Sequence, residues 1–195
     1  MKFMNNVKLR TSDTHPFRID SVQPGNEWGL IGMSFCPGKK QLGARTGDWN
    51  RDLATDLSCL KAWGASMVIS LVELPEFDEL QVPTLPAEVE RLGIQWRHLP
   101  IRDMHPPGSR FRSIWPGLCQ EIVAALGDGR RIFLHCKGGV GRTGTIAACL
   151  LMESCIPPAE AITKVRVARN STIETWAQEE FVLGYKPVCL IDGQA

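Results

Sequence analysis

The chain lacks long apolar runs and any excess of charge of one sign. None of its apolar runs is long enough to cross a bilayer, and residues 1–20 contain no apolar signal-peptide core. Its 195 residues carry 22 Lys and Arg against 21 Asp and Glu, a formal net charge of +1. This balance argues against nucleic acid as a partner and against an acidic tail. We therefore expect a cytoplasmic protein without a membrane span.

Paired cysteines are also missing. The count of seven is odd, and none of them forms a Cys-x-x-Cys pair. A disulfide scaffold is uncommon in a chain of this size, and structural zinc sites need ligand pairs with regular spacing. The sequence therefore predicts reduced, mostly buried thiols, with no metal and no cofactor.

Hydrophobic patterning predicts one α/β domain with a central, mostly parallel sheet flanked by helices. Apolar strand segments alternate with helical ones, which is typical of such sheets. Strands are expected at 30–35, 67–72, 94–101 and 131–134, and helices at 49–63, 75–92 (in two pieces, because of Pro83 and Pro86), 113–126, 145–155, 158–169 and 173–184. Residues 1–27 are expected to form an irregular arm, residues 28–185 the domain and residues 186–195 a tail.

The most informative segment follows the last of these strands. It runs from His135 to Thr143 and contains the pattern Cys-x-x-x-x-x-Arg, with Cys136 and Arg142 at its ends. A loop before a helix presents unpaired backbone N–H groups and a positive field, which attract an anion and favour a thiolate. Small residues between the two ends let those N–H groups turn inward. The pattern predicts phosphate monoester hydrolysis through a phosphocysteine.

Each position of this loop has an expected role. Cys136 is the nucleophile, and Arg142 offers a bidentate fork to two phosphate oxygens. Thr143 is expected to stabilise the thiolate when it leaves, and His135 to orient the loop. The residues expected to bind the phosphate are Lys137, Gly138, Gly139, Val140, Gly141 and Arg142.

Other interpretations of the loop fit less well. Residues 139–144 also match Gly-x-Gly-x-x-Gly, but no strand with an acidic end follows the next helix, as a dinucleotide site requires. A Walker A loop would need a Lys immediately before Thr143, and that position holds Arg142. A buried core thiol would explain Cys136 alone, but not its spacing to Arg142.

The motif His-Cys-x-x-Gly-x-x-Arg-Thr resembles the signature of cysteine-dependent protein tyrosine phosphatases, in their dual-specificity branch. Segments 32–38, 51–72, 99–103 and 173–178 are in addition similar to the kinase-associated phosphatase (cyclin-dependent kinase inhibitor 3) family. The resemblance implies the dual-specificity-phosphatase fold and a phosphoprotein substrate, with a kinase as a candidate partner.

A phosphatase of this kind also needs an acid to protonate the leaving oxygen. The resemblance assigns this role to Asp103, which follows a predicted strand and precedes a Pro- and Gly-rich loop. An Asx-type turn is the structural alternative for this residue. His105 and Asp128 are weaker candidates for the acid.

Near the C-terminus, related phosphatases use a Gln-Thr-x-x-Gln segment to position the hydrolytic water. Here Glu174 replaces the first Gln and Gln178 keeps the second. The resemblance therefore implies a supporting role for Glu174 and Gln178, and an exposed helical face is the alternative.

The sequence thus predicts a phosphatase for phosphotyrosine, phosphoserine/threonine or both. Two alternatives stay open. Lys137 inside the loop is similar to the loop lysines of lipid phosphatases, but Val140 stands where a second lysine would help, so an inositol lipid or another small phosphomonoester is the weaker alternative. A phosphate-binding adaptor of a kinase would need no turnover at all. Neither composition nor motifs indicate the oligomeric state.

Overall fold

The computed structural model describes residues 9–189. In that part of the chain the strands are β1 (Asp20–Val22), β2 (Ile31–Phe35), β3 (Lys40–Ala44), β4 (Gly47–Asn50), β5 (Ala65–Ser70), β6 (Gln95–His98) and β7 (Arg131–Cys136). The helices are α1 (Leu53–Trp63), α2 (Leu74–Glu79), α3 (Leu85–Arg91), α4 (Ser109–Gly127), α5 (Gly141–Glu153), α6 (Pro158–Ala168) and α7 (Trp176–Leu183). None of these helices is both long and apolar enough to cross a membrane.

The main sheet has five strands in the order β1-β2-β7-β5-β6. Its last four strands are parallel, and β1 pairs with β2 in the antiparallel direction. Because β7 is central, it is buried on both faces, and its residues 132–136 are apolar apart from one histidine. The predicted α/β fold with a mostly parallel sheet is confirmed.

Two apolar layers cover the sheet. One contains side chains of α4, α5 and α6, including Leu118, Ile146 and Val165. The other contains side chains of α1, α2 and α3, including Leu57 and Phe77. The sheet therefore has helices on both faces, and the carboxyl ends of its parallel strands remain available for a ligand.

A β3–β4 hairpin was absent from the sequence prediction. Residues 40–44 and 47–50 form a separate two-stranded sheet, in which Lys40 pairs with Asn50. Trp49 lies in this hairpin, whereas the sequence pattern placed it at the start of a helix. That helix, α1, begins only at Leu53, because the Asp52 side chain accepts a hydrogen bond from the Thr55 N–H and caps it.

Part of the segment expected to be an irregular arm belongs to the domain. Strand β1 lies in it, and the side chain of Phe17 packs in the core. Ser12 donates a 2.9 Å hydrogen bond to Asp56, which also receives two hydrogen bonds from the buried Arg51. These contacts fix residues 12–22 to α1 and β2. Residues 1–8 and residues 190–195 of the expected tail lie outside the described part of the chain.

Candidate active site

The loop after β7 is held against the neighbouring strand. Phe35 of β2 pairs with Cys136, the last residue of β7. Gly139 has a φ of 68°, and a Cβ at this position would lie 2.2 Å from the backbone of Ser34. Only glycine fits this close approach. Its N–H then donates to the Cys136 Sγ at 3.2 Å, so one predicted inward amide reaches the sulfur.

Helix α5 begins four residues earlier than its pattern predicted. It starts at Gly141, so Arg142 and Thr143 lie in its first turn, and all of its residues are buried. The positive end of the helix is therefore part of the loop. The hydroxyl of Thr143 is buried and has no hydrogen-bond partner among the described residues, so it is free to serve a group that arrives in the site.

The guanidinium of Arg142 has a partner that the sequence did not indicate. It donates to both carboxylate oxygens of Glu76 in α2, at 2.6 and 2.9 Å, and to the carbonyl of Ile101 at 3.0 Å. Burial alone would raise the pKa of Glu76, but the hydrogen bonds and charge of Arg142 outweigh it and lower the pKa. Burial opposes the charge on Arg142 as well, and Glu76 reverses that effect and raises the pKa of the guanidinium.

Asp103 contacts the same guanidinium. Leu99 and Ile101 donate backbone hydrogen bonds across the carboxyl end of β5, to Ser70 and Leu71, and carry the chain toward β7. The Oδ1 of Asp103 then lies 2.9 Å from Nη2 of Arg142, with 51% of the Asp103 side chain exposed. The structure therefore brings the carboxylate of Asp103 and the guanidinium of Arg142 together in an ion pair.

The two weaker acid candidates are placed differently. His105 hydrogen-bonds through Nδ1 to the Asp103 carbonyl at 2.7 Å, so its ring supports the acid loop. Asp128 caps α4 and precedes the start of β7, at the opposite end of the strand that ends in Cys136. The geometry therefore favours Asp103.

His135 is buried beneath the loop. Its Nε2 lies 2.7 Å from the hydroxyl of Ser70, which accepts a 2.9 Å hydrogen bond from Trp96. Burial lowers the pKa of His135 to about 3. The ring is therefore neutral near pH 7, which fits the orienting role predicted for it and not a role as acid.

Gln178 and Glu174 both reach the loop. The buried Oε1 of Gln178 accepts the N–H groups of Glu174 and Thr175, at 2.9 and 3.2 Å, in the capping box of α7. A Cβ on Gly141 would lie 2.8 Å from this Oε1, so Gln178 packs directly on the loop. The carboxylate of Glu174 pairs with Arg45 of the hairpin loop at 3.2 Å.

Comparisons with known proteins now identify the family. Residues 49–182 match the model described as "Swiss Army Knife protein, DSP-PTPase phosphatase domain" (PTP-SAK). The chain belongs to this family of phosphatases. It is 32% identical over 156 residues to rat (Rattus norvegicus) cyclin-dependent kinase inhibitor 3, covering 78% of this chain and 70% of the relative. It is also 27% identical to human protein tyrosine phosphatase type IVA 3, over 71% of this chain and 74% of the relative.

A solved structure supports the same assignment. Kinase associated phosphatase, crystallised with its catalytic cysteine changed to serine, superimposes with a TM-score of 0.74 at 26% identity, over 86% of this chain and 92% of that one. A putative protein tyrosine phosphatase from Leishmania major has the same fold, with a TM-score of 0.64 at 19% identity over 87% of this chain and 99% of that one. This DSP-PTPase domain is thus an enzyme of the protein tyrosine and dual-specificity phosphatase class.

The phosphatase loop opens into a cavity of about 880 Å³. Cys136, Asp103, Glu174 and Gln178 line it, and so do the loop residues 137, 138, 140 and 141. Lys137 lies at its edge, with its ammonium 3.6 Å from Glu79. Further cations lie around this cavity, at Arg10, Arg18, Lys39, Arg45 and Arg169.

The sequence analysis missed two residues of this site, Glu76 and Lys39. Glu76 precedes Arg142 by 66 residues, and only the packing of α2 beneath the loop brings the two together. Lys39 follows Pro37-Gly38, a pair that predicted a turn and gave no indication of a functional role. The hairpin that turns Lys39 toward the cavity has too weak a hydrophobic alternation to be recognised, since only Trp49 among its strand residues is buried.

One possible metal-binding group lies elsewhere. Cys119, Glu153 and Cys189 have potential ligand atoms within 4.8 Å of one another. The Glu153 carboxylate already accepts the N–H groups of Val188, at 3.0 and 3.1 Å, and of Cys189, at 2.8 Å. These contacts fasten the C-terminal segment to α5 and give the carboxylate a structural role.

Proposed function

We propose that this domain hydrolyses phosphotyrosine or phosphoserine/threonine in proteins, with Cys136 as nucleophile, Arg142 as phosphate ligand and Asp103 as general acid and base. One observation carries the assignment. The Cys136 sulfur, accepting the Gly139 N–H at 3.2 Å, shares a cavity with Asp103, whose carboxylate lies 2.9 Å from Arg142.

The first step forms phosphocysteine. Loop N–H groups and Arg142 bind the phosphate dianion, and the Cys136 thiolate attacks phosphorus in line with the leaving oxygen. A sulfur–phosphorus bond forms as the phosphorus–oxygen ester bond breaks. Asp103 gives its proton to the leaving oxygen and becomes a carboxylate.

The second step reverses the roles. Asp103 takes a proton from water, whose oxygen attacks phosphorus while the sulfur–phosphorus bond breaks and Cys136 leaves as thiolate. The hydroxyl of Thr143, which has no hydrogen-bond partner within residues 9–189, supports a role in stabilising that thiolate. The packing of Gln178 on Gly141 supports a role for its side chain in orienting the water.

The mechanism is tested by replacing Cys136 with serine. We expect turnover of a phosphotyrosine peptide to fall by about a thousandfold or more, because the nucleophile is lost. Binding of the peptide, measured by calorimetry, should persist, because the loop amides and Arg142 remain. Activity of the unaltered protein should be unchanged in a chelator.

The matched control is Cys155→Ser, because this cysteine is free and exposed. It should keep full activity. Retained turnover in Cys136→Ser would contradict the thiolate mechanism. If the unaltered protein binds phosphopeptides without hydrolysing them or 4-nitrophenyl phosphate, the domain is a phosphate-binding adaptor.

We further propose a cytoplasmic location and a phosphorylated kinase as partner. The kinase is supported by the similarity to cyclin-dependent kinase inhibitor 3 and kinase associated phosphatase, and the location by the seven free cysteines in residues 9–189. Copurification of the Cys136→Ser variant with a phosphorylated kinase, released by free phosphate, is the expected result.

A further inference from the structure

Lys39 is a buried cation on the wall of the catalytic cavity. Only 3% of the residue is exposed, yet it is among those that line the cavity with Cys136. Its Nζ lies 4.3 Å from the centre of the Trp49 ring and 5.3 Å from that of Phe35. A lysine this buried is uncommon unless its charge is paired.

The ammonium is under-satisfied in the described part of the chain. Its one hydrogen bond there runs to the carbonyl of Lys137, at 3.3 Å, and no carboxylate there forms an ion pair with it. An ammonium has three N–H donors, so donors remain for a ligand. Because Lys137 follows Cys136 directly, those donors lie beside the first peptide of the phosphate-binding loop.

The backbone of Lys39 is fixed in place. Its carbonyl accepts the Arg51 N–H at 3.2 Å, and the preceding Gly38 donates to the buried carboxylate of Asp56 at 2.9 Å. Gly38 has a φ of 71°, and a Cβ there would lie 2.6 Å from Leu53. The turn therefore fixes the backbone from which the lysine side chain extends, as a binding residue requires.

We propose that Lys39 binds a second acidic group of the substrate, so that the enzyme selects phosphopeptides in which acidic residues flank the phosphorylated one. This inference rests on the proposed function and names its substrate class. An extended peptide is favoured because the outer cations are spread around the cavity. Arg18 and Arg45 have side chains that are 82% and 87% exposed, on separate segments of the chain, and each is paired with one carboxylate, that of Asp20 and that of Glu174.

The protonation of Lys39 supports this assignment. Burial lowers its pKa to about 8, and the cations Arg51 and Lys137 add to the effect, whereas Cys36 and Cys136 oppose it. Arg10 faces the same Trp49 ring at 5.2 Å. The ammonium is thus charged at neutral pH and loses its proton as the pH rises through about 8.

The test compares two phosphotyrosine peptides of equal length, one flanked by aspartate and the other by asparagine. For Lys39→Met we expect kcat/KM to fall about tenfold on the acidic peptide, the effect of one charge-assisted hydrogen bond. On the neutral peptide and on 4-nitrophenyl phosphate the fall should stay below about twofold. Lys40→Met is the matched control, because Lys40 is exposed and does not line the cavity; it should leave both peptides unaffected.

Several results would overturn the proposal. An equal loss on all substrates would show that Lys39 only supports the loop, and an unchanged ratio would show that it does not touch the flanking group. A loss confined to a short-chain phosphoinositide bisphosphate would replace the peptide by a lipid headgroup.

Two measurements keep the test independent of folding and of turnover. The ratio of kcat/KM between the peptides should fall above pH about 8 in the unaltered enzyme and stay flat in Lys39→Met. In the Cys136→Ser background, the acidic peptide should bind more tightly than the neutral one only while Lys39 is present. If the unaltered enzyme hydrolyses neither peptide, but the Cys136→Ser variant still binds the acidic peptide more tightly, only the proposed function is overturned.

Discussion

The two segments that supply the predicted chemistry differ in how firmly the fold holds them. The loop from Cys136 to Arg142 has both ends buried, at 3% and 1% exposed, and is pressed onto β2. Asp103 lies on an irregular segment with about half of its side chain in solvent. Binding a phosphate needs fixed donors, whereas an acid that serves first a leaving group and then water needs room to move.

The largest effect is expected when the firmly held loop loses the partner of Arg142. In Glu76→Ala the guanidinium of Arg142 loses a bidentate partner in a site where both side chains are almost fully buried. We expect the free energy of unfolding to fall by about 3 kcal/mol, measured by urea denaturation, because the buried guanidinium then keeps only the half-exposed carboxylate of Asp103 as its ion-pair partner. Glu79→Ala, on the same helix but exposed, should change it by less than about 0.5 kcal/mol.

The effect of replacing the more exposed Asp103 should depend on the leaving group of the substrate. Asp103→Asn removes the proton donor and keeps the shape, so kcat on a phosphotyrosine peptide should fall about a hundredfold. An aryl phosphate whose phenol leaves readily needs no proton, and its kcat should fall less than about threefold, by stopped-flow assay. Similar losses for both substrates would assign Asp103 to phosphate binding instead.

The pH dependence of the unfolding free energy tests the role of Glu76. Its pKa is lowered in the folded protein, so the stability it contributes is present above the unfolded pKa, about 4.3, and is lost as the pH falls through the lower, folded value. The difference in unfolding free energy between the unaltered protein and Glu76→Gln should therefore be largest near pH 7 and shrink below pH about 4. A constant difference would mean that the carboxylate acts only through packing.

The smallest effect is expected at Glu174, where the resemblance to related phosphatases implied a glutamine. Glu174→Gln breaks a pair with the exposed Arg45, and such pairs contribute about 0.5 kcal/mol. We expect kcat to change less than about twofold. Gln178→Ala should cost more, about 1 kcal/mol of stability and several-fold in kcat, because it removes the side-chain acceptor of the α7 capping box and the side chain against Gly141.

The parts of this site that the sequence reveals are local ones. Cys136 and Arg142 are separated by a short loop of fixed spacing, so the motif specifies their geometry. The central strands are apolar throughout and were recognised for that reason. Glu76 and Lys39 could not be found in this way, since each reaches the site through packing between segments distant in sequence, and neither lies in a pattern with a chemical meaning.

One consequence concerns the interpretation of pH–rate profiles. The ring of His135 lies beneath the loop with Ser70 and Trp96, and burial lowers its pKa to about 3, so it is uncharged near neutral pH. An inflection near pH 6 to 7 then belongs to another group or to the substrate phosphate itself. A histidine adjacent to a nucleophile would ordinarily be the first group assigned to such an inflection, and His135 is not that group here.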